Sequence, residues 1–382
     1  MTPTTHDAAR NTPGSRLATR LAFFVAGFGA SCWAPLVPYA KARLQVDDRQ
    51  LGVLLLCIGI GSLVVMPLTG GLTARMGSRT VIVGAGLGLA LAMPFMALGA
   101  SVPLMAVSLL LFGAALGAMD VAMNIHAVEV ERGSTAPLMS GFHALFSIGG
   151  FAGSGTLTVL LALGVPLGAA AAAAVGVIIG ALAVARTRFL DARDAGTTPF
   201  IVRPRGLVLV IGALAFVAFL VEGAILDWSA LLLTRHHAFD ASYGGVAYAL
   251  FSVAMTTGRL TGDRVVARLG GRRVLIAGGL LTAIGLLSVL PAMSSAVALA
   301  GFVLIGLGAS NIVPVLFSAA GRQTVMPAGL AIAAMTAIGY AGILVGPAAI
   351  GFIADATSLP AAFVLLAALM LVVPLSARVV VK

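Results

Sequence analysis

The chain has 382 residues, of which 60% are hydrophobic and only 9% charged, with a formal net charge of +10 and a mean hydropathy of +1.10. A water-soluble domain carries about 25% charged residues, so this chain cannot wet its own surface, and a soluble fold is excluded. The basic excess does not mark a nucleic-acid partner either, because it is confined to short segments between apolar runs long enough to cross a bilayer.

Twelve apolar spans follow one another at 17–40, 50–74, 80–100, 103–127, 138–163, 165–185, 207–233, 243–267, 274–293, 296–320, 327–353 and 359–377. Residues 1–16 are polar and expected to be a disordered cytoplasmic N-terminus. The first span is too long for a signal-peptide core and lacks a small-residue cleavage site, so it reads as a helix. With the N-terminus inside, the cytoplasmic segments hold 18 basic residues and the opposite side only Lys41, Arg43, Arg49 and Arg235. This asymmetry predicts cytoplasmic N- and C-termini.

Spans 1–6 form an expected N-terminal six-helix bundle over 17–185. The charged, proline-bearing stretch 186–206 reads as a cytoplasmic linker, and 207–382 as a C-terminal six-helix bundle. The fold class is thus an all-α polytopic membrane protein of 12 transmembrane helices in two pseudo-symmetric bundles. Cys32 and Cys57 lie inside apolar spans and read as small buried hydrophobes. Neither a disulfide framework nor a metal site is indicated.

The two halves repeat each other. Arg75-Met76-Gly77-Ser78-Arg79 returns as Arg268-Leu269-Gly270-Gly271-Arg272, 193 residues later, and at that spacing Asp47 answers Asp240, Gly52 answers Gly245 and Gly86 answers Gly279. Polar residues sort with a period of three. Spans 3, 6, 9 and 12 lack Asp, Glu, Lys, Arg, His, Asn and Gln, and suit lipid on most of their circumference. Spans 4, 7 and 10 bury Asp120 and Asn124, Glu222 and Asp227, and Asn311. Each such group in hydrocarbon costs roughly 3 kcal/mol on insertion scales, so these helices are expected to line a central polar cavity.

Over essentially its whole length the chain resembles the major facilitator superfamily of secondary transporters. The family's signature between helices 2 and 3, Gly-x-Leu-x-Asp-Arg-x-Gly-x-Arg, stands here as Gly70-Gly71-Leu72-Thr73-Ala74-Arg75-Met76-Gly77-Ser78-Arg79. It matches at every fixed position except the aspartate, which is Ala74. The second copy also has alanine there, Ala267, with Asp263 one helical turn earlier. The resemblance implies alternating access, with Gly70, Arg75, Gly77, Arg79, Asp263, Arg268, Gly270 and Arg272 in gating. It also implies a multi-pass protein of the bacterial inner (cytoplasmic) membrane, and the overall look is closest to sugar-permease-like branches. Helix 5 lacks the proline of the Gly-Pro motif typical of drug–proton antiporters, and Gly346-Pro347 lies in helix 11 instead.

For such a machine Asp120 is the first proton-coupling candidate. It shares a helix face with Asn124, and desolvation penalises its charged form, which suits loading and release of a proton. The alternative is a permanently hydrogen-bonded tether. Glu222 is a second proton site, expected past mid-membrane, and Asp227 a third, nearer the outer surface. The expected substrate contacts are Asn124, Asn311, Tyr340, Trp33 and Trp228, with interfacial anchoring the default for both tryptophans and Pro314 expected to kink span 10. His126, Glu129, Glu131 and His143 read either as an inner gate and proton relay or as solvated helix ends. Arg259 is read as lying near the cytoplasmic end of span 8. With no arginine at the centre of a span, a neutral or cationic solute suits better than an anion.

The expected partners are a small-molecule substrate, protons and the lipid bilayer, with a monomeric chain, no nucleic acid and no cofactor. Efflux of drugs or metabolites and a non-transporting receptor on the same scaffold are the rival readings. An enzyme is disfavoured, because no nucleophile–base pair, metal-ligand spacing or P-loop occurs.

Overall fold

The computed structural model describes residues 11–190, 202–236, 245–290 and 294–381, without the side chains of residues 48, 49, 235 and 236. Among them the chain is helical throughout, with no strand. Spans 1–9 are the helices Pro13–Leu44, Asp48–Met76, Ser78–Leu98, Val102–Arg132, Met139–Ala162, Leu167–Ala185, Leu207–His236, Gly245–Leu269 and Gly271–Ser288. Span 10 is written in two pieces, Ser295–Ala309 and Ile312–Arg322; span 11 is Ala328–Ala356; span 12 is again two pieces, Leu359–Met370 and Val372–Val380. Eleven helices among the described residues are long and apolar enough to cross a membrane. The remaining one, Gly245–Leu269, is long enough but is made more polar by Thr256, Thr257, Arg259, Thr261 and Asp263.

Span 1 begins earlier than expected. Thr12 Oγ1 accepts from the Ser15 N–H at 3.0 Å and Ser15 Oγ accepts from the Thr12 N–H at 2.9 Å, a reciprocal capping box with Pro13 in the first helical turn. Expected disorder up to residue 16 is therefore wrong for 13–16; residues 1–10 lie outside the described set. Of the expected linker, 191–201 also lies outside it.

By packing, the chain divides into two units. The first comprises residues 1–135, 145–203 and 327–333, and the second 136–144, 204–326 and 334–382. The opening turns of spans 5 and 11 are thus each counted with the other half of the sequence.

Helices within each unit meet through glycine. In the first, a Cβ on Gly113 would stand 2.0 Å from the Ile58 carbonyl oxygen, and one on Gly61 would stand 2.1 Å from that of Leu110. Spans 2 and 4 therefore touch backbone to backbone, and Ser62 Oγ donates to the Gly113 carbonyl at 2.7 Å across the same seam. In the second, a Cβ on Gly306 would stand 2.3 Å from the Phe251 carbonyl oxygen. Gly306 and Phe251 each lie 193 residues after Gly113 and Ile58. The duplication read from the sequence is therefore repeated in the packing.

The two basic turns are also one structure. Gly77 has φ 83° and ψ 149°, and Gly270 has φ 79° and ψ 149°. Each ends one helix and begins the next at a positive φ that only glycine adopts freely. Their N–H groups donate to Thr73 and Val266, both at 2.9 Å.

Span 3 departs from the expectation of a lipid-facing helix. In its most apolar stretch 56% of the residues are buried, as many as in span 1. Its alanines and glycines leave room for spans 4 and 6 to close over it, so the absence of polar residues here marks tight packing.

Candidate functional site

The polar centre of the second unit forms around an interruption in span 10. Helix Ser295–Ala309 ends at Ser310, and Asn311, at φ −109° and ψ 1°, caps the helix that begins at Ile312. Pro314 has no N–H to return to the Ser310 carbonyl four residues earlier. Arg259 on span 8 supplies a substitute, its Nε donating to that carbonyl at 3.4 Å. Ser310 Oγ donates to the Leu307 carbonyl at 2.7 Å, and Asn311 Nδ2 donates to the Gly258 carbonyl at 3.0 Å and to Ser310 Oγ at 2.9 Å. Non-helical backbone at this depth is tolerated only where protein or a polar cavity covers it; the break is satisfied by span 8.

Glycines on span 8 make that approach possible. A Cβ on Gly262 would stand 1.9 Å from Asn311 Oδ1, and one on Gly258 would stand 2.3 Å from Ser310 Oγ.

The guanidinium of Arg259 also faces Glu222 on span 7, with Nη2 to Oε2 at 4.0 Å, the outer limit of an ion pair. The two side chains differ in access: that of Arg259 is 7% exposed and that of Glu222 is 32% exposed. Tyr248, one of the more exposed aromatics, lies within electrostatic range of Glu222, Arg259 and Asp227. His143, from the opening turn of span 5, is buried within range of the Arg259 charge and packs on Phe317 with ring centroids 5.5 Å apart. Asp227 itself is exposed.

Arg259 corrects the expectation that no arginine lies centrally. Helix 8 continues to Leu269, so Arg259 stands about 15 Å from its end and about 21 Å from its start at 1.5 Å per residue. Ser310, Gly258, Gly262 and Tyr248 were likewise not singled out. The available signal was a pair of glycines at helical spacing, Gly258 and Gly262, bracketing the one arginine that interrupts the apolar part of span 8.

The first unit is built more simply. Asn124 Nδ2 donates to the Asp120 carbonyl at 2.8 Å and to Asp120 Oδ1 at 3.2 Å, so the expected shared face is real. Asn124 is fully buried and Asp120 partly so. Span 4 runs unbroken past both, in contrast to span 10 at Asn311.

His126 ties together separate segments of the first unit. Its Nε2 accepts from the Leu190 N–H at 2.9 Å, so the neutral ring carries its proton on Nδ1, 3.0 Å from Thr19 Oγ1. Thr19 Oγ1 in turn donates to the Ser15 carbonyl at 2.8 Å. With Phe189 edge-on against the ring, every polar atom of His126 is committed to holding the start of span 1 and the end of span 6. The expected cluster is also divided: Glu129 and Glu131, both partly buried, belong with His126 to the first unit, and His143 belongs to the second.

The residues expected in gating sort by copy. Asp263 Oδ2 accepts from the Gly141 N–H at 3.0 Å, placing a carboxylate on the first turn of span 5, where the helix dipole favours it. A Cβ on Gly141 would stand 2.5 Å from that oxygen. Gly70 occupies the position 193 residues before Asp263. It meets the opening of span 11, where its Cβ would stand 3.0 Å from both the Gly329 carbonyl oxygen and Ala333 Cβ. The same place in the repeat is thus a carboxylate against an amide in one copy and a bare backbone against a backbone in the other. Arg75, Arg268 and Arg272 are exposed and Arg79 partly so.

The tryptophans are not interfacial anchors of the exposed kind. Trp33 is 6% exposed, and the indole of Trp228 packs over Gly351. Both Nε1 atoms are buried without a hydrogen-bond partner among the described residues. Tyr340 is half-buried on span 11.

Known proteins agree with this architecture. An uncharacterised MFS-type transporter of Yersinia pestis is 53% identical over 368 residues, covering 96% of each chain, and membrane protein MosC of Rhizobium meliloti is 34% identical over 369, covering 94% of this chain and 89% of that one. Among solved structures, the fucose:proton symporter FucP of E. coli superposes with a TM-score of 0.79 at 18% identity, covering 97% of this chain and 98% of that one. The proton:xylose symporter XylE superposes at 0.80 and 13%, covering 97% and 95%. These likenesses show the fold. The Major Facilitator Superfamily pattern itself matches residues 20–234 and 211–381. A duplicated arrangement of apolar helices among the described residues, two matching glycine turns and relatives aligned from end to end make this chain a multi-pass transporter, not an enzyme, and it belongs to the Major Facilitator Superfamily.

Proposed function

We propose that the protein is a proton-coupled secondary transporter that moves a small polar solute by alternating access. Its two six-helix halves are joined by the 186–206 linker, and it works as a monomer in a bacterial inner membrane with both termini cytoplasmic. The observation that carries the coupling is the Arg259–Glu222 pair. Glu222 is the more accessible member and Arg259 the buried one. Protonating Glu222 removes the negative partner of a buried guanidinium, which is costly to leave uncompensated. The arrangement that follows must differ from the starting one, so proton loading and conformation are linked.

Asp120, without a cation partner among the described residues, is the corresponding acid of the first unit. In the second unit Asn311 offers an amide, Tyr248 and Tyr340 hydroxyls and Trp228 an indole N–H; in the first, Asn124 offers an amide and Trp33 an indole N–H; groups of these kinds suit a hydroxylated solute. The names of FucP and XylE, both proton symporters of sugars, point the same way.

Reconstitution into liposomes tests this reading. With an imposed pH gradient, addition of the right sugar-like solute should produce solute accumulation together with proton flux. Glu222→Gln should abolish gradient-driven accumulation while leaving solute exchange across the membrane. If Glu222→Gln and Asp120→Asn both keep full proton flux, the coupling assignment is wrong.

A further inference from the structure

At the end of the second unit, where span 7 begins and spans 10 and 12 finish, lies a half-open cavity of about 580 Å³. Its walls include Leu207, Ala319, Val379 and Val381, and its polar lining includes Arg322 and Thr324. Arg322 is held by its stem, with Nε donating to the Ser318 carbonyl at 3.1 Å, and its two Nη groups donate to no described residue. The loop behind it is rigid, because Gln323 Oε1 accepts from the N–H groups of Val325 at 2.7 Å and Met326 at 3.0 Å.

The chain segments that build this cavity carry charge of one sign. Arg203 and Arg205 are close along the chain to Leu207, and Arg378 adjoins Val379; all three are exposed. No Asp or Glu occurs in residues 202–210, 315–327 or 372–381. From the cavity an exposed apolar stripe runs along span 12 through Val379, Leu375 and Leu371, which are 56%, 79% and 39% exposed and spaced four residues apart. Val379 belongs to both features.

We propose that this cavity is a binding site for the headgroup of an anionic phospholipid. The phosphate sits against the Arg322 guanidinium within the field of Arg205 and Arg378, and one acyl chain lies along the Leu371–Leu375–Val379 stripe. A basic pocket between transmembrane helices at the level of the headgroups is suited to such a ligand. The stripe is what selects a lipid over a free phosphate, since a small anion has no use for it. The site is independent of the proton-coupling centre on spans 7, 8 and 10.

Native mass spectrometry of the purified full-length protein, titrated with phosphatidylglycerol or phosphatidylcholine of identical acyl chains, tests the assignment. One phosphatidylglycerol should be retained with at least about fivefold preference, the order expected from one arginine at an anionic headgroup. R322Q should abolish that preference and R322K should keep most of it. A319F, which fills the cavity without changing charge, should lower retention, and the melting temperature of each variant reports whether it is folded. Equal retention of the two lipids, an unchanged preference in a folded R322Q, or displacement of the lipid by millimolar inorganic phosphate would each overturn the proposal.

Discussion

The Nε–H of Arg259 donates at 3.4 Å to the carbonyl of Ser310, the acceptor that Pro314 deprives of its own helical donor. One arginine thus serves both a broken backbone on span 10 and a carboxylate on span 7. Arg259→Ala is expected to strip both groups at once and to lower stability by ~1–3 kcal/mol, the cost of a buried polar group left unmade. Arg259→Lys keeps the charge on Glu222 but cannot reproduce the planar fork. Melting temperatures in detergent should therefore fall in the order wild type, Lys, Ala. Equal melting temperatures for wild type and Ala would show that span 10 holds its break without help.

Glycine positions give a graded steric test. Gly262→Ala drives a methyl to 1.9 Å from Asn311 Oδ1 and 2.6 Å from Ser140 Cβ, so spans 8 and 10 must part, and loss of both stability and transport is expected. Gly84, on span 3, has open space at its Cβ position. Gly84→Ala should stabilise by up to ~1 kcal/mol through helix propensity alone. The two thermal shifts should have opposite signs.

Asp263 is expected to act on conformation rather than on solute binding. Asp263→Asn keeps an oxygen for the Gly141 N–H but removes the charge that favours a helix N-terminus, worth ~0.3–1 kcal/mol. The balance between inward- and outward-open states should then move about two- to fivefold, as read by the labelling rate of a cysteine placed on one side. An unchanged labelling rate would leave Asp263 a plain hydrogen-bond acceptor.

His126→Leu separates a packing role from a proton-relay role. The variant removes the acceptor of the Leu190 N–H and the partner of Thr19, so its melting temperature should drop. Transport per folded molecule should keep the wild-type pH profile. A shifted pH profile would restore His126 to the proton path.

Asp120 and Asn124 can be told apart by charge. Asp120→Asn preserves a hydrogen-bonding oxygen for Asn124 and should leave stability within about 1 kcal/mol, yet it should weaken proton-driven accumulation of solute. Asn124→Leu, at a fully buried position, should instead lower stability first.

Apolar length and the echoed turn were enough to place twelve spans, because both depend only on local composition and on a glycine that must take a positive φ at Gly77 and Gly270. The face shared by Asp120 and Asn124 was legible for the same reason, being a matter of helical spacing. Arg259 was not. Its partners Glu222 and Ser310 lie on spans that only tertiary packing brings alongside. The roles of Asp263 and Gly70 were hidden differently. The signature fixed attention on Ala74 and Ala267, while the contacts are made one helical turn earlier, at residues that share a register but not a chemistry. The partners of His126 were hidden because a histidine beside two glutamates draws attention to its own helix, whereas the Leu190 amide that occupies its Nε2 lies far along the chain.

The backbone seam between spans 2 and 4 sets a limit on how the first unit can deform. Gly61 and Gly113 leave no side chain to act as a bearing, and a carbonyl pressed on a bare Cα has neither slack for sliding nor a rotamer to change. These two helices therefore travel as a single beam. Any bending needed during a transport cycle must be taken up by helices that meet through side chains, so strain gauges such as spin-label pairs should record constant separations across this seam in every state.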